Sequence, residues 1–88
     1  MKDEETLFEF PCEFPLKVMG RQQEDFENHV MRIVGHHVES SEILHCKCRP
    51  SNNGNFVSVT VTIQAQSKQQ LDNLYLELNA SAAVLMTL

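Results

Sequence analysis

The sequence has no tryptophan and only three glycines and three prolines. A glycine-rich phosphate-binding loop needs several closely spaced glycines, so this motif is excluded. No stretch approaches the roughly 20 consecutive apolar residues that span a bilayer. The first five residues are mostly charged and lack the basic-then-apolar order of a secretory signal. We therefore expect a cytoplasmic protein with no membrane partner.

Basic residues are scarce, with seven Lys and Arg against twelve Asp and Glu and a formal net charge of −5. General affinity for nucleic acid or for anionic lipid needs surplus positive charge, so both are disfavoured as default functions. The negative charge is uneven, because the N-terminal part carries Asp3, Glu4, Glu5, Glu9 and Glu13. Local basic patches remain compatible with this composition.

The sequence also has few cysteines, and their number is odd: Cys12, Cys46 and Cys48. Cys46 and Cys48 are too close on one strand to bridge comfortably, so we expect free thiols and a reducing compartment. We predict that both lie in the core on the face that carries Leu44, as free cysteines commonly do.

The alternative to a core position is that Cys46 and Cys48 bind a metal ion, with His45, Cys12, His36 and His37 as further soft ligands. Structural zinc sites use a wider C-x₂₋₄-C spacing, and a buried face is a poor place for ligands. We predict no metal and no cofactor.

The 88 residues predict one domain. Residues 1–10 are interpreted as a flexible acidic arm, ending in the apolar pair Phe8 and Phe10, and residues 11–88 as the folded domain. Alternating apolar residues from Phe14 predict a first strand that ends at Gly20. An apolar stripe predicts a helix over residues 22–37, in the order Phe26, Val30, Ile33 and Val34.

Residues 43–50 and 56–66 predict two strands joined by a hairpin in which Asn53-Gly54 takes positive φ angles. The second has the clearer alternation, with a buried row Val57, Val59, Val61, Ile63 and Ala65. Ser67 and Gln70 form a capping box that opens a second helix with the stripe Leu71, Leu74, Tyr75 and Leu78. Residues 82–88 predict a closing strand.

This order of elements, βαββαβ, is the split-βαβ pattern of an α+β protein. Right-handed crossovers then give a four-stranded antiparallel sheet in the order β4-β1-β3-β2, with both helices on one face. The uncovered face should show one aromatic and several basic or polar side chains: Lys17, Met19, His45, Lys47, Arg49, Phe56, Thr60 and Thr62.

Two blocks of the sequence carry a family resemblance. Residues 7–11 (LFEFP), with Phe14 and residues 17–20 (KVMG), form the first, and residues 49–59 (RPSNNGNFVSV) form the second. Together they resemble the YbeD-like family of small, functionally uncharacterised bacterial proteins. The resemblance implies a ferredoxin-like two-layer sandwich, similar to the ACT regulatory domains that bind amino acids and control metabolic enzymes.

ACT domains place a glycine beside their ligand at the position that Gly20 occupies here. The resemblance therefore implies a ligand site at Lys17, Gly20 and Arg21. A second surface is expected around the hairpin and the uncovered face, and it comprises Lys47, Arg49, Asn53, Gly54 and Phe56.

Nothing in the sequence indicates catalysis, because no carboxylate pair has a suggestive spacing, Cys46 and Cys48 are predicted to be buried, and Cys12 lies in a proline-flanked entry loop. We therefore predict a non-catalytic regulatory or binding module whose partner is a small-molecule effector or a protein. Nucleic-acid binding through the uncovered face is the alternative, although the RNA-binding consensus is matched only by Phe56-Val57. A homodimer through that face or through the edge of the uncharged last strand is also compatible.

Overall fold

The computed structural model describes residues 9–51 and 53–88. The elements, in chain order, are β1 (Cys12–Arg21), α1 (Phe26–Gly35), β2 (Ile43–Pro50), β3 (Phe56–Ala65), α2 (Lys68–Ala80) and β4 (Val84–Thr87). A short 3₁₀ turn, Ser40–Glu42, lies between α1 and β2. Most of the predicted acidic arm, including Phe8, lies outside the described residues, whereas Phe10 is half-buried against the core.

The four strands form one antiparallel sheet in the order β2-β3-β1-β4. This is the predicted order, read from the other edge, and the βαββαβ ferredoxin-like fold is confirmed. Leu16 and Val18 of β1 lie opposite Val61 and Val59 of β3, and all four are fully buried. They form the sheet side of a core whose other side is built by the helices.

The predicted buried row of β3 is confirmed in full, since its five apolar residues are all buried and alternate with half-exposed polar ones. The apolar stripes of the helices are confirmed as well, apart from Tyr75, which is only half-buried. Burying each large apolar side chain stabilises the fold by roughly 1.5–3 kcal/mol.

The start of the first helix was predicted wrongly. Helix α1 begins at Phe26, four residues after the predicted start, and ends at Gly35. The reason is that β1 continues past Gly20 to Arg21, and the Gln22 amide then donates to the Asn55 carbonyl at 3.0 Å. The intervening residues are therefore held in extended and turn conformations.

One of the two hydrogen bonds of the predicted capping box is confirmed, and the other has a different donor. The Ser67 hydroxyl accepts from the Gln70 amide at 3.1 Å, as predicted. The Gln70 side-chain oxygen, however, accepts from the amide of Gln66 at 2.8 Å and not from that of Ser67. The Gln70 side-chain nitrogen donates to the His37 carbonyl at 2.9 Å, so this residue also joins α2 to the end of α1.

The predicted burial of the β2 cysteines was wrong for Cys48, which is exposed, and only partly right for Cys46. Both lie opposite buried valines of β3 and so face the helices, but β2 is an edge strand that the helices cover incompletely. Leu44 does not share their face, because a register shift between Ile43 and His45 gives the inward position to Ile43 and leaves Leu44 45% exposed.

Among the described residues, no helix is long and apolar enough to cross a membrane.

Candidate interaction surface

The sheet face opposite the helices is uncovered, and the strand register brings its basic residues together. Lys17 of β1 and Lys47 of β2 lie on either side of Thr60 in one row across three strands. Met19 and Arg49 flank Ser58 in the next row. Because residues paired across strands point to the same face, these side chains share the uncovered surface, as the alternation predicted.

A third row at the end of this surface pairs Arg21 with Phe56, a residue that is 36% exposed. Four of the seven Lys and Arg residues of the chain thus lie on one face: Lys17, Arg21, Lys47 and Arg49. All four are exposed. Within residues 9–51 and 53–88, none of the four forms an ion pair with a carboxylate. We call these four residues, together with Phe56, the basic face.

The opposite layer of the molecule has the opposite charge. Residues 22–42 and 66–81 contain the two helices and their connections, and Arg32 and Lys68 are the only Lys or Arg residues there. The same two stretches hold seven carboxylates: Glu24, Asp25, Glu27, Glu39, Glu42, Asp72 and Glu77. An anionic partner is therefore steered toward the basic face and away from the helices.

Two shallow depressions shape the basic face and share Arg49 and Ser58 as a common wall. The first, of about 250 Å³, is completed by Lys17, Lys47 and Thr60. The second, of about 190 Å³, is mainly apolar and is completed by Met19, Pro50, Ser51, Phe56 and Val57. Both lie below the roughly 300–1,000 Å³ of typical small-molecule sites. They suit a ligand that lies along the surface, with a charged part beside an apolar part.

The hairpin that borders the second depression is held by its own side chains. The Asn53 side-chain oxygen accepts from the Ser51 hydroxyl at 2.8 Å and from the Asn55 amide at 3.1 Å. Gly54 has a φ of 77°, whereas Asn53 does not have the predicted positive φ. Asn53 and Gly54 therefore lie at the tip beside Phe56, and the Asn53 side-chain oxygen is already engaged within the turn.

The three residues expected to form a ligand site at the end of β1 do not share a surface. Lys17 and Arg21 point to the uncovered face, whereas Gly20 is buried on the helix side. The position a Cβ atom would take on Gly20 is occupied by the ring of Phe26, and the carbonyl oxygen of Ala83 lies 2.6 Å from it. The glycine thus makes room for a side chain of the protein itself.

A polar cluster between the helices, formed by His36, His37 and Glu77, was missed by the sequence reasoning. His36 Nδ1 and His37 Nε2 lie 2.8 and 2.7 Å from the two carboxylate oxygens of Glu77. These hydrogen bonds, first that from His37 and then that from His36, lower the pKa of Glu77. The cluster ties the end of α1 to α2.

Cys46 and Cys48 have environments that suppress reactivity. Burial is the main cause that raises the pKa of Cys46 to about 11, and the hydrogen bond from its thiol to Glu27, at 3.4 Å, adds to it. Partial desolvation and then the charge of Glu27 also raise the pKa of Cys48. Because the thiolate is the nucleophilic form, neither residue is suited to attack a substrate at neutral pH. Within the described residues, no group of three or more His, Cys, Asp or Glu side chains is arranged to hold a metal ion.

Solved structures with the same architecture show the class of fold. The ACT domain from the GTP pyrophosphokinase of Chlorobium tepidum superposes with a TM-score of 0.66 at 11% identity, over 86% of this chain and 84% of that one. Protein HP0495 from H. pylori superposes with a TM-score of 0.68 at 15% identity, over 92% and 85%. The fold is ferredoxin-like with ACT-domain neighbours.

The sequence comparisons show the family. The family described as "Protein of unknown function (DUF493)" matches residues 5–88. A UPF0250 protein of Chromobacterium violaceum is 43% identical over 89 residues, covering all of both chains. Another, of Nitrosomonas europaea, is 42% identical over 85 residues, covering 97% of this chain and 98% of that protein. The chain belongs to this family of small bacterial proteins, the YbeD-like family that the two sequence blocks resemble, and the family is uncharacterised.

Proposed function

We propose that this protein is a non-catalytic regulatory module that binds an acidic segment of a partner protein on its basic face. The observation that carries the proposal is the gathering, on one face of an acidic protein, of four exposed cations that form no ion pair within residues 9–51 and 53–88. Exposed like charges repel one another, so their concentration lowers stability unless a partner neutralises them.

The shape of the face favours an extended protein segment over a small effector. A small ligand in either depression would remain largely in water, whereas protein sites bury most of a small ligand. An extended segment would use both depressions at once, with carboxylates near Lys17, Lys47 and Arg49 and an apolar side chain against Phe56. Mixed apolar and charge-paired contacts of this kind are typical of protein interfaces.

The regulatory part of the proposal rests on the fold and on the thiols. The fold that the chain shares with the ACT domain of a GTP pyrophosphokinase supports the regulatory part, and the raised pKa values of Cys46 and Cys48 leave these two thiols poorly suited to nucleophilic catalysis. The proposal includes a cytoplasmic location, which the three free cysteines support, since such thiols persist in a reducing compartment.

The proposal is tested with a labelled peptide that alternates glutamate and leucine, added to ¹⁵N-labelled protein at low salt. We expect backbone shifts at Lys17, Lys47 and Phe56, and weaker binding as salt is raised. The double variant Lys47→Glu and Arg49→Glu should lose at least tenfold in affinity. The matched control, Arg32→Glu with Lys68→Glu, makes the same charge change on the helix layer and should bind like the wild type.

Equal affinity of the two double variants would overturn the proposal, because binding would then follow net charge and not the face. Nucleic acid is the alternative occupant and is tested with a single-stranded RNA of the same length. The basic face includes one aromatic ring, that of Phe56, and so offers one stacking platform, where single-strand binders use several. Tighter binding of RNA than of the peptide at equal salt would replace the proposal with the nucleic-acid function. A thermal shift with a metabolite, in the absence of peptide binding, would replace it with a small-molecule sensor.

A further inference from the structure

The two edges of the sheet are built differently. The β2 edge carries Lys47, Arg49 and Pro50 and has a register shift after Ile43. Charges, proline and bulges are the features by which proteins block pairing of an exposed edge. The β4 ladder also has a register shift, at Leu85, but residues 80–88 contain neither a charged side chain nor a proline. The β2 edge is therefore protected by charges and a proline that the β4 edge lacks.

The backbone of β4 has hydrogen-bonding groups directed toward its free side. Leu88 and Lys17 exchange both hydrogen bonds, with the Leu88 amide donating at 2.8 Å and the Lys17 amide donating at 3.4 Å. In an antiparallel ladder such pairs alternate with pairs that exchange none. Thr87, opposite Val18, is of the second kind. Its amide and carbonyl therefore point away from β1, toward the open edge.

The side chains of this edge are apolar and exposed. Leu85, Met86 and Leu88 are 51%, 49% and 62% exposed. Half of the large hydrophobic residues that are exposed in the described part of the chain thus fall within residues 84–88. Contiguous apolar exposure beside unpaired strand groups is typical of an interface.

We propose that β4 pairs antiparallel with β4 of a second copy, about a two-fold axis at Met86. In this register Thr87 pairs with Leu85 of the second copy, and the two Met86 side chains meet on the uncovered face. A second copy is the occupant that the charges favour, because an uncharged strip meets its own copy without repulsion despite the chain's net charge of −5. A two-fold contact of a strip with itself also closes after two subunits, so no fibre results.

The dimer would have one continuous eight-stranded sheet, with all four helices on one side and both basic faces on the other. Lys17 lies on β1, the strand next to the interface, so the two copies would present one long basic surface. The dimer proposal rests on residues 84–88 and not on the peptide-binding function, so either proposal can fail without the other. A basic-face variant that no longer binds the peptide should keep the dimer's mass in solution, and a variant that no longer dimerises should keep the basic face of each copy.

The mass in solution, measured by sedimentation equilibrium over a wide range of protein concentration, tests the dimer. We expect the wild type to move from one-chain to two-chain mass as concentration rises. Met86→Lys places like charges across the axis and should give one-chain mass throughout, with an unchanged circular dichroism spectrum because the residue is half exposed. Leu44→Lys is the matched control on the β2 edge and should dimerise like the wild type.

Cross-linking tests the register. Cys12, Cys46 and Cys48 are changed to serine, and Met86→Cys is added. Residues paired across the axis without exchanged hydrogen bonds have Cα atoms about 4.5 Å apart, within the range that a disulfide spans. Oxidation should give a covalent dimer for Met86→Cys and not for Leu44→Cys in the same background. A wild type of one-chain mass at every concentration, or a dimer that Leu44→Lys disrupts and Met86→Lys does not, would overturn the proposal.

Discussion

Gly20 and Phe26 share one space in the core, because the Phe26 ring fills the volume that a side chain on Gly20 would need. Phe26 is the first residue of α1, and Ala83, whose carbonyl oxygen also approaches Gly20, directly precedes β4. Three elements therefore meet at one position of β1. The φ angle of Gly20 is not positive, so the requirement for glycine here is steric and not conformational.

Changing Gly20 to alanine should therefore lower the free energy of unfolding by about 1–3 kcal/mol, the usual cost of overpacking a core. The matched control is Gly35→Ala at the end of α1, where the added Cβ would have no atom within 4 Å apart from its chain neighbours and the nearby backbone of its own helix. That change should be neutral or stabilising by up to about 1 kcal/mol, because alanine is the better helix former. Urea unfolding of both variants is the measurement, and equal effects would contradict the steric account.

The sequence was sufficient for the architecture because its strongest patterns come from burial. The five-residue apolar row of β3 and the stripe of α1 each require one face to be covered, and the order of elements then restricts the topology. The end of β1 was predicted at Gly20, one residue too early. Glycine is required at this position by the ring of Phe26, a contact between residues that no local pattern connects.

Gln70 should contribute more to stability than its neighbour Gln69, although both lie in the first turn of α2. Gln70 accepts from the Gln66 amide and donates to the His37 carbonyl, and each such bond contributes about 0.5–1.5 kcal/mol. Gln70→Ala is expected to cost about 1–3 kcal/mol in thermal or urea unfolding, whereas Gln69→Ala, at an exposed position, should stay within about 0.5 kcal/mol. A cost that is the same for both would show that the two bonds do not form in solution.

Cys46 should alkylate slowly at neutral pH, since its pKa of about 11 leaves very little thiolate. Glu27→Gln removes a negative charge and an acceptor that both disfavour the thiolate, so the pKa should fall and the alkylation rate should rise. Burial, the largest cause, remains, so the rate should stay below that of a free thiol. Iodoacetamide labelling followed by peptide mass spectrometry separates Cys46 from Cys12 and Cys48. An unchanged rate in the variant would contradict the assigned role of Glu27.

The basic face could be predicted from sequence, and the histidine cluster could not. Alternation placed Lys17, Lys47 and Arg49 on the uncovered face, because a strand repeats every two residues. The contact between His36 and Glu77 joins residues 41 positions apart and depends on how α1 packs beside α2. No periodicity within either helix reports that angle.

Glu77 should stabilise the fold in a manner that is lost in acid. Its pKa in the folded protein lies below the ordinary value of 4.5, chiefly through the hydrogen bonds from His37 and His36. A carboxyl whose pKa is lowered by folding contributes stability that is fully present above its unfolded value and disappears as the pH falls through the folded value. Urea unfolding should therefore show that the wild type has a larger free energy of unfolding than Glu77→Gln above pH 4.5, and that this difference becomes smaller below pH 4.5.

Asp72→Asn is the control on the same helix, because the exposed ion pair of Asp72 with Lys68 is of the kind that contributes little. The cluster does not join the two helices in solution if Glu77→Gln lowers the free energy of unfolding no more than Asp72→Asn does. The same conclusion follows if the effect of Glu77→Gln becomes larger in acid.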